Sequence, residues 1–242
     1  MHRKITIGFV LSKLLLAFLL IMTFLPILTM FNMSLKSTVL IRTNFWSLPT
    51  SIYWTNYEKA FKFVFRPVLN SLLICMISLV GIIILVALAG YAFGKMQFKG
   101  KKIIYSMVIC VMMIPYTLLI IPNYEIVETM KLLNTYWALI LPYVFGQQVF
   151  GIVLAETFYS SLPNELFEAA KIDGASEFQK FSLIALPLSK PILITVGITA
   201  FNSMYNDYIW PTIVLSSGDE FKTFCQVVFN NAAGKGTNDL GL

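Results

Sequence analysis

The sequence predicts an all-α integral membrane protein with five transmembrane helices, and three observations carry that prediction. Of 242 residues, 57% are hydrophobic and only 12% charged, about half the charged share of an ordinary soluble domain. Mean hydropathy is +0.76. Long stretches contain no charge at all: 22 residues between Lys13 and Lys36, 28 between Arg66 and Lys95, 22 between Lys102 and Glu125, and 24 between Lys131 and Glu156. A helix needs about 20 mostly apolar residues to cross the hydrocarbon. These runs do not alternate as barrel strands would. Cytosolic enzymes, nucleic-acid binders and disordered tails are set aside on composition.

The spans are predicted at 14–33, 67–94, 103–122, 136–160 and 191–215, the last interrupted by Asp207. The first is too long, and lacks the small-residue exit, for a cleaved signal peptide. Net charge is 18 Lys+Arg against 12 Asp+Glu, or +6. Basic residues without acids, Arg3, Lys4 and Lys13, then Lys95, Lys99, Lys101 and Lys102, place the N-terminus and the loop after the second span in the cytoplasm. Loop 161–190 is then inside, and 34–66, 123–135 and 216–242 are outside. Trp46, Tyr53, Trp54 and Tyr57 suit interfacial anchoring, and Asn123–Thr135 is expected as a short surface helix. The Gly/Asn-rich stretch 230–242 reads as loop.

Catalytic chemistry has little to work with. The only histidine is His2, and Cys75, Cys110 and Cys225 lack metal-type spacing. No G-x4-G-K-[ST] phosphate loop is present.

The segment 161–190 has structure of its own. Ser160-Ser161-Leu162-Pro163 supplies a helix start. Asn164–Asp173 favours a helix, Gly174 interrupts it, and a second short helix is expected from Ser176 to Ala185. Pro187 and Pro191 stiffen the joint to the fifth span. The predicted object is a helix–glycine turn–helix clip.

Glu168-Ala169-Ala170, three residues, Gly174, nine residues, then Ile184-x-Leu186-Pro187 resembles the E-A-A-x3-G-x9-I-x-L-P signature of ABC importer permeases. Gly90–Lys101, Leu132–Tyr143 and Phe201–Leu215 are similar to the carbohydrate branch of that family, in its second-permease type related to maltose-transport permeases. The likeness covers nearly the whole chain. It implies a type I importer permease core, one transmembrane domain over 1–242, with 161–190 as the cytoplasmic coupling loop. It also implies that Glu168, Ala169, Ala170, Asp173, Gly174, Ile184, Leu186 and Pro187 couple to a separate ATPase. The implied partners are a homologous second permease, two ATPase subunits that hold ATP and Mg, an extracytoplasmic sugar-binding protein and the lipid bilayer, with no nucleic acid. No cofactor is expected on this chain, and no metal. The implied setting is the bacterial cytoplasmic membrane, spanned several times. Family members continue to a sixth core span after a stretch like 234–242, so truncation is an expectation here.

Polar residues inside spans are candidates for a substrate path, because they are costly against lipid. The fifth span is richest, with Asn202, Ser203, Tyr205, Asn206, Asp207, Tyr208 and Trp210, of which Asn202, Tyr205, Asn206 and Asp207 are the candidates. For Asn202 and Asn206 a path role and helix-to-helix hydrogen bonding both stand. For Asp207 a structural polar contact is favoured. Gly90 and Gly94 are expected to pack helices, Asn70-Ser71 to cap a helix start, Glu156 to snorkel or pair with a lysine, and Pro115 and Pro142 to kink their spans. Two other readings remain open: a non-transporting fragment or scaffold, and an ion-coupled secondary transporter, although the latter usually needs repeats and midplane ionisable groups.

Overall fold

The computed structural model describes residues 7–218 and 220–232, so Arg3, Lys4 and most of the expected 230–242 loop lie outside the described residues. The described residues form helices with turns between them: α1 (Ile7–Ser34), α2 (Thr38–Thr43), α3 (Trp54–Lys95), α4 (Lys101–Met112), α5 (Tyr116–Thr129), α6 (Trp137–Gly146), α7 (Gln148–Ser161), α8 (Asn164–Ile172), α9 (Glu177–Gln179), a π-helical stretch Lys180–Ala185, α10 (Leu186–Leu188), α11 (Lys190–Tyr205), α12 (Ile209–Val214) and α13 (Phe224–Asn230). Three helical segments are long and apolar enough to cross a membrane, and five if each of two bent pairs is one span. The all-α membrane architecture follows the sequence.

Residues 7–65 form one compact unit. Within it, α1 is apolar on every side, with none of its most apolar window buried, as a helix surrounded by acyl chains would be. At its end the polar contacts concentrate. Asn32 Nδ2 donates to Ser47 O (3.0 Å), Ser34 Oγ pairs with Tyr57 Oη (2.6 Å), and Asn56 Nδ2 donates to Ser34 O (2.9 Å) and Lys36 O (2.8 Å). Lys36 is fully buried, and its Nζ donates to Phe45 O at 2.8 Å. A cation just beyond the C-terminus of α2 meets the negative end of the helix dipole.

Residues 66–232 form the second unit. Its core joins Ile74, Ile82 and Val86 of α3, Ala138 and Leu139 of α6, Ile152 and Ala155 of α7, Val196 and Ala200 of α11, and Trp210 of α12. Glycines set the closest approaches. A Cβ on Gly151 would lie 2.7 Å from Val86 Cγ2 and 2.8 Å from Val196 Cγ1, so α7 is wedged between α3 and α11. On α3, a Cβ at Gly90 would come within 2.6 Å of Ala155 Cβ, and one at Gly94 within 2.7 Å of Tyr159 Cβ. Both glycines pack α3 on α7, as the sequence implied. Trp210 is sealed in, and its Nε1 donates to Ala138 O (3.0 Å).

Several expectations are corrected. The helix that carries the second span begins at Trp54, ahead of the apolar run at 67, and Glu58, Lys59, Lys62 and Arg66 lie on this charged extension; Lys62 and Glu58 pair one turn apart (2.6 Å). Asn70 and Ser71 therefore sit inside α3 and do not cap its start. Asn70 Nδ2 donates to Glu220 O and Lys222 O, while Ser71 Oγ accepts the Phe224 N–H (2.8 Å) at the start of α13. The third span breaks at 113–115 with a 101° bend between α4 and α5, since Pro115 has no N–H and disfavours helix at the residue before it. Residues 123–129 continue α5 and form no separate surface helix. Pro142 lies within α6, and the interruption falls at Gln147. The fifth span stops at Tyr205 and resumes at Ile209. Glu156 takes Tyr105 (2.9 Å) and Ser160 (2.9 Å) as partners rather than a lysine.

Candidate functional site

Two sites emerge, at opposite ends of α7 and α11. The first is the clip. Helix α8 starts after Pro163 and ends in a Schellman turn: Ala175 N–H donates to Ala170 O (2.9 Å), Gly174 N–H to Lys171 O (3.1 Å), and Gly174 has φ +79°. These bonds satisfy the last carbonyls of the helix. Helix α9 opens with a full capping box between Ser176 and Gln179. The chain widens into the π-helical turn Lys180–Ala185, passes through α10, and bends by 71° at Ser189 into α11. The expected second helix therefore exists, with a π-helical body.

Three side chains from the spans brace this clip, and sequence reading missed all of them. Tyr91 of α3 packs its ring edge-on to Tyr159 and tilted against Phe167 and Phe181, with centroids 5.9, 6.2 and 5.3 Å away. Its hydroxyl donates to Glu177 Oε2 (3.3 Å), and Glu177 also pairs with the buried Lys180. Lys95 Nζ donates to Leu162 O and Asn164 Oδ1 (both 2.7 Å) and lies 5.0 Å from the Phe167 ring centroid. Tyr159 Oη donates to Ser189 Oγ (2.8 Å) at the bend. The signal for Tyr91 was faint: one of three hydroxyls, with Ser71 and Ser78, in an apolar run.

The predicted coupling residues divide into two sets. Glu168, Ala169, Asp173, Gly174 and Pro187 are exposed, whereas Ala170, Ile184 and Leu186 are half-buried. Around the exposed set lie Ile172 (87% exposed), Phe178 (71%) and Leu183 (72%). Bare apolar surface thus lies beside two exposed carboxylates, Glu168 and Asp173.

The second site is a cavity of about 480 Å³ lined by Tyr116, Pro142, Tyr143, Gly146, Gln147, Ser203, Asn206, Asp207, Tyr208 and Ile209. The break after Tyr205 opens it. Asp207 caps α12, accepting the Ile209 N–H (3.0 Å) and Trp210 N–H (3.2 Å) on Oδ1 and the Tyr143 hydroxyl (3.0 Å) on Oδ2. Asn206 Nδ2 donates to Asn202 O and Oδ1, and Gln147 Nε2 donates to Ser203 Oγ (3.2 Å). Of the four path candidates, Asn206 and Asp207 reach this cavity. Asn202 borders an apolar groove of about 680 Å³ with Leu79, Ile83, Gly197, Ile198 and Phe201. Tyr205 instead stacks on Phe201 (5.6 Å) and approaches Phe224 (6.0 Å). Ser203 and Tyr208, also among the polar residues of the fifth span, line the cavity as well, and Gln147 was the missed polar residue.

The described helices form an apolar bundle with a clip and a polar cavity at opposite helix ends, an architecture suited to a membrane transport subunit. Residues 86–233 match the model of the binding-protein-dependent transport system inner membrane component, and the chain belongs to that family of ABC transporter permeases. It is 31% identical over 187 residues to the trehalose transport system permease protein SugB of Mycobacterium tuberculosis, covering 76% of this chain and 68% of that one. It is 30% identical over 198 residues to the diacetylchitobiose uptake system permease protein NgcG of Streptomyces coelicolor (81% and 66%). Against the arabinooligosaccharides transport system permease protein AraQ of Halalkalibacterium halodurans the figures are 31% over 170 residues, 70% and 56%. The chain thus spans between 56% and 68% of the length of these three relatives. A chain from the crystal structure of a bacterial ABC transporter involved in the import of the acidic polysaccharide alginate has the same fold, with TM-score 0.82 at 22% identity over 99% of this chain and 85% of that chain.

Proposed function

We propose that this permease carries sugars or oligosaccharides inward across the bacterial cytoplasmic membrane, with its N-terminus in the cytoplasm. It works with a second permease, two ATPase subunits that bind ATP and Mg, and an extracytoplasmic sugar-binding protein. The names of the relatives, all sugar systems, support the substrate class. Clip 161–190 is the coupling loop of a single transmembrane domain. Its exposed edge, Glu168, Ala169 and the neighbouring Ile172, seats in the ATPase: alanines allow close approach, and the carboxylate meets a basic group.

The observation that carries this reading is the bracing of the clip. A push on α8 reaches α3 through the Phe167–Tyr91 contact and Lys95, and reaches α11 through the Tyr159–Ser189 bond at the 71° bend. Packed, hydrogen-bonded elements move as units rather than absorbing the displacement. The far end of α11 carries Asn206 and Asp207, so closure of the ATPases alters the polar cavity and switches access from one side to the other. The test is Ala169→Cys with a short bifunctional crosslinker in native membranes. A product containing an ATP-hydrolysing subunit is expected, and its absence alongside normal expression of both proteins overturns the docking.

A further inference from the structure

We propose that the cavity between α6, α7, α11 and α12 is a subsite for uncharged, hydroxyl-rich sugar units, contacted by Gln147, Ser203 and Asn206, and that it rejects uronate-bearing sugars. The proposal rests on the importer reading above and names the ligand class of its path.

The polar groups in the wall fall into two kinds. Asp207 is occupied: both its oxygens accept hydrogen bonds, two from backbone N–H groups and one from Tyr143, which is itself buried. It is scaffold, and the three donors it accepts from favour its ionised form in the wall. The other kind has bonding capacity left over. Gln147 Oε1 and Asn206 Oδ1 accept no hydrogen bond among the described residues, while the Ser203 hydroxyl accepts from Gln147 and keeps its proton to donate. These are two acceptors and a donor on adjacent helix ends, matched to a solute whose hydroxyls both donate and accept. Leaving them empty within a membrane span is costly. Tyr116 and Tyr208 add half-exposed rings to the same wall, and Tyr208 is held by stacking on Phe229 at 4.1 Å. The volume of about 480 Å³ lies within the range of small-molecule pockets.

The lining contains one carboxylate and no lysine or arginine. A carboxylate-bearing sugar would enter beside Asp207 with nothing to offset its charge, in surroundings where charges are poorly screened. A neutral sugar meets no such barrier.

The test uses the full transporter complex in proteoliposomes, with Ser203→Cys in a chain also carrying Cys110→Ser and Cys225→Ser. Labelling by a cationic methanethiosulfonate is expected to run at least fivefold faster than by an anionic one of similar size, and Asp207→Asn should bring the ratio near one. Trehalose, arabinotriose and diacetylchitobiose are then offered as protectants beside digalacturonate. At least one neutral sugar is expected to slow labelling threefold or more, with no effect of digalacturonate. Protection by digalacturonate equal to the best neutral sugar overturns the proposal, as do equal labelling rates for both reagents or protection by none of the sugars. So does complete inaccessibility of Ser203→Cys, which would mean that the second permease fills the cavity. If the subsite fails while the Ala169→Cys crosslink still forms, the importer reading stands alone.

Discussion

The clip end and the cavity end of the bundle are built from the same device, a helix interrupted and restarted at an angle, yet their surroundings differ. At the clip, the bend at Ser189 is buried and bonded to Tyr159, glycines bring α3 onto α7, and Tyr91 touches three aromatic rings. At the cavity, the break at 206–208 is held by hydrogen bonds to Asp207 and leaves open space beside it. Close packing transmits displacement, because cores switch between arrangements rather than deform. Open polar space accommodates a solute. In the proposed function, the two ends of α7 and α11 are divided between mechanics and recognition.

The strongest way to break this comparison is to spoil the packed end. Gly90→Val places a branched side chain where a single Cβ already comes within 2.6 Å of Ala155 Cβ. Overpacking of this kind costs about 1–3 kcal/mol. The variant is expected to lose most assembled complex, read as the monodisperse peak on size exclusion, while Ser203→Ala at the open end assembles normally.

Gly174→Asp comes next. Nothing lies within 4 Å of a Cβ there, so sterics with neighbours are not the issue; φ +79° is. A left-handed non-glycine residue costs about 1–2 kcal/mol, and the new carboxylate sits at the negative end of α8. Uptake in vesicles is expected to fall tenfold or more while ATP hydrolysis persists. Wild-type uptake would show that the Schellman turn is not part of the transmission.

The finest comparison is Tyr91→Phe. It keeps the three ring contacts and removes the hydroxyl that reaches Glu177. A hydrogen bond to a charged group contributes about 1.5–3 kcal/mol at most, less for one this long. Assembly should be unchanged and the ratio of sugar moved to ATP consumed should drop two- to fivefold. Equal ratios would assign the bracing to the rings alone.

Gaps between charges located the spans because the cost of charge in hydrocarbon is local and composition reports it directly. The same rule failed at Trp54–Arg66, where a helix continues past the apolar region and charge no longer says anything about secondary structure. Pro115 was legible as a disturbance, but the size of the bend depends on what α5 packs against. The clip was legible in Gly174 and the letters around it because turn chemistry is local. Its braces were not: Tyr91 and Glu177 are 86 residues apart, as are Asn70 and the 220–222 stretch by about 150. In the cavity, Ser203, Asn206 and Asp207 stood out as polar residues in a span, while Gln147 gained meaning only when two helix ends met.

Helix α1 has a consequence for how its own sequence can vary. With every flank equally greasy, turning it about its long axis changes nothing in its exchange with acyl chains. Its rotational phase is therefore decided at one tip, where Asn32 and Ser34 find Ser47, Tyr57 and Asn56. The apolar letters from Leu14 to Leu25 are interchangeable ballast, and a shuffled order of them, with Lys13 and Pro26 kept in place, should leave that tip docked as before.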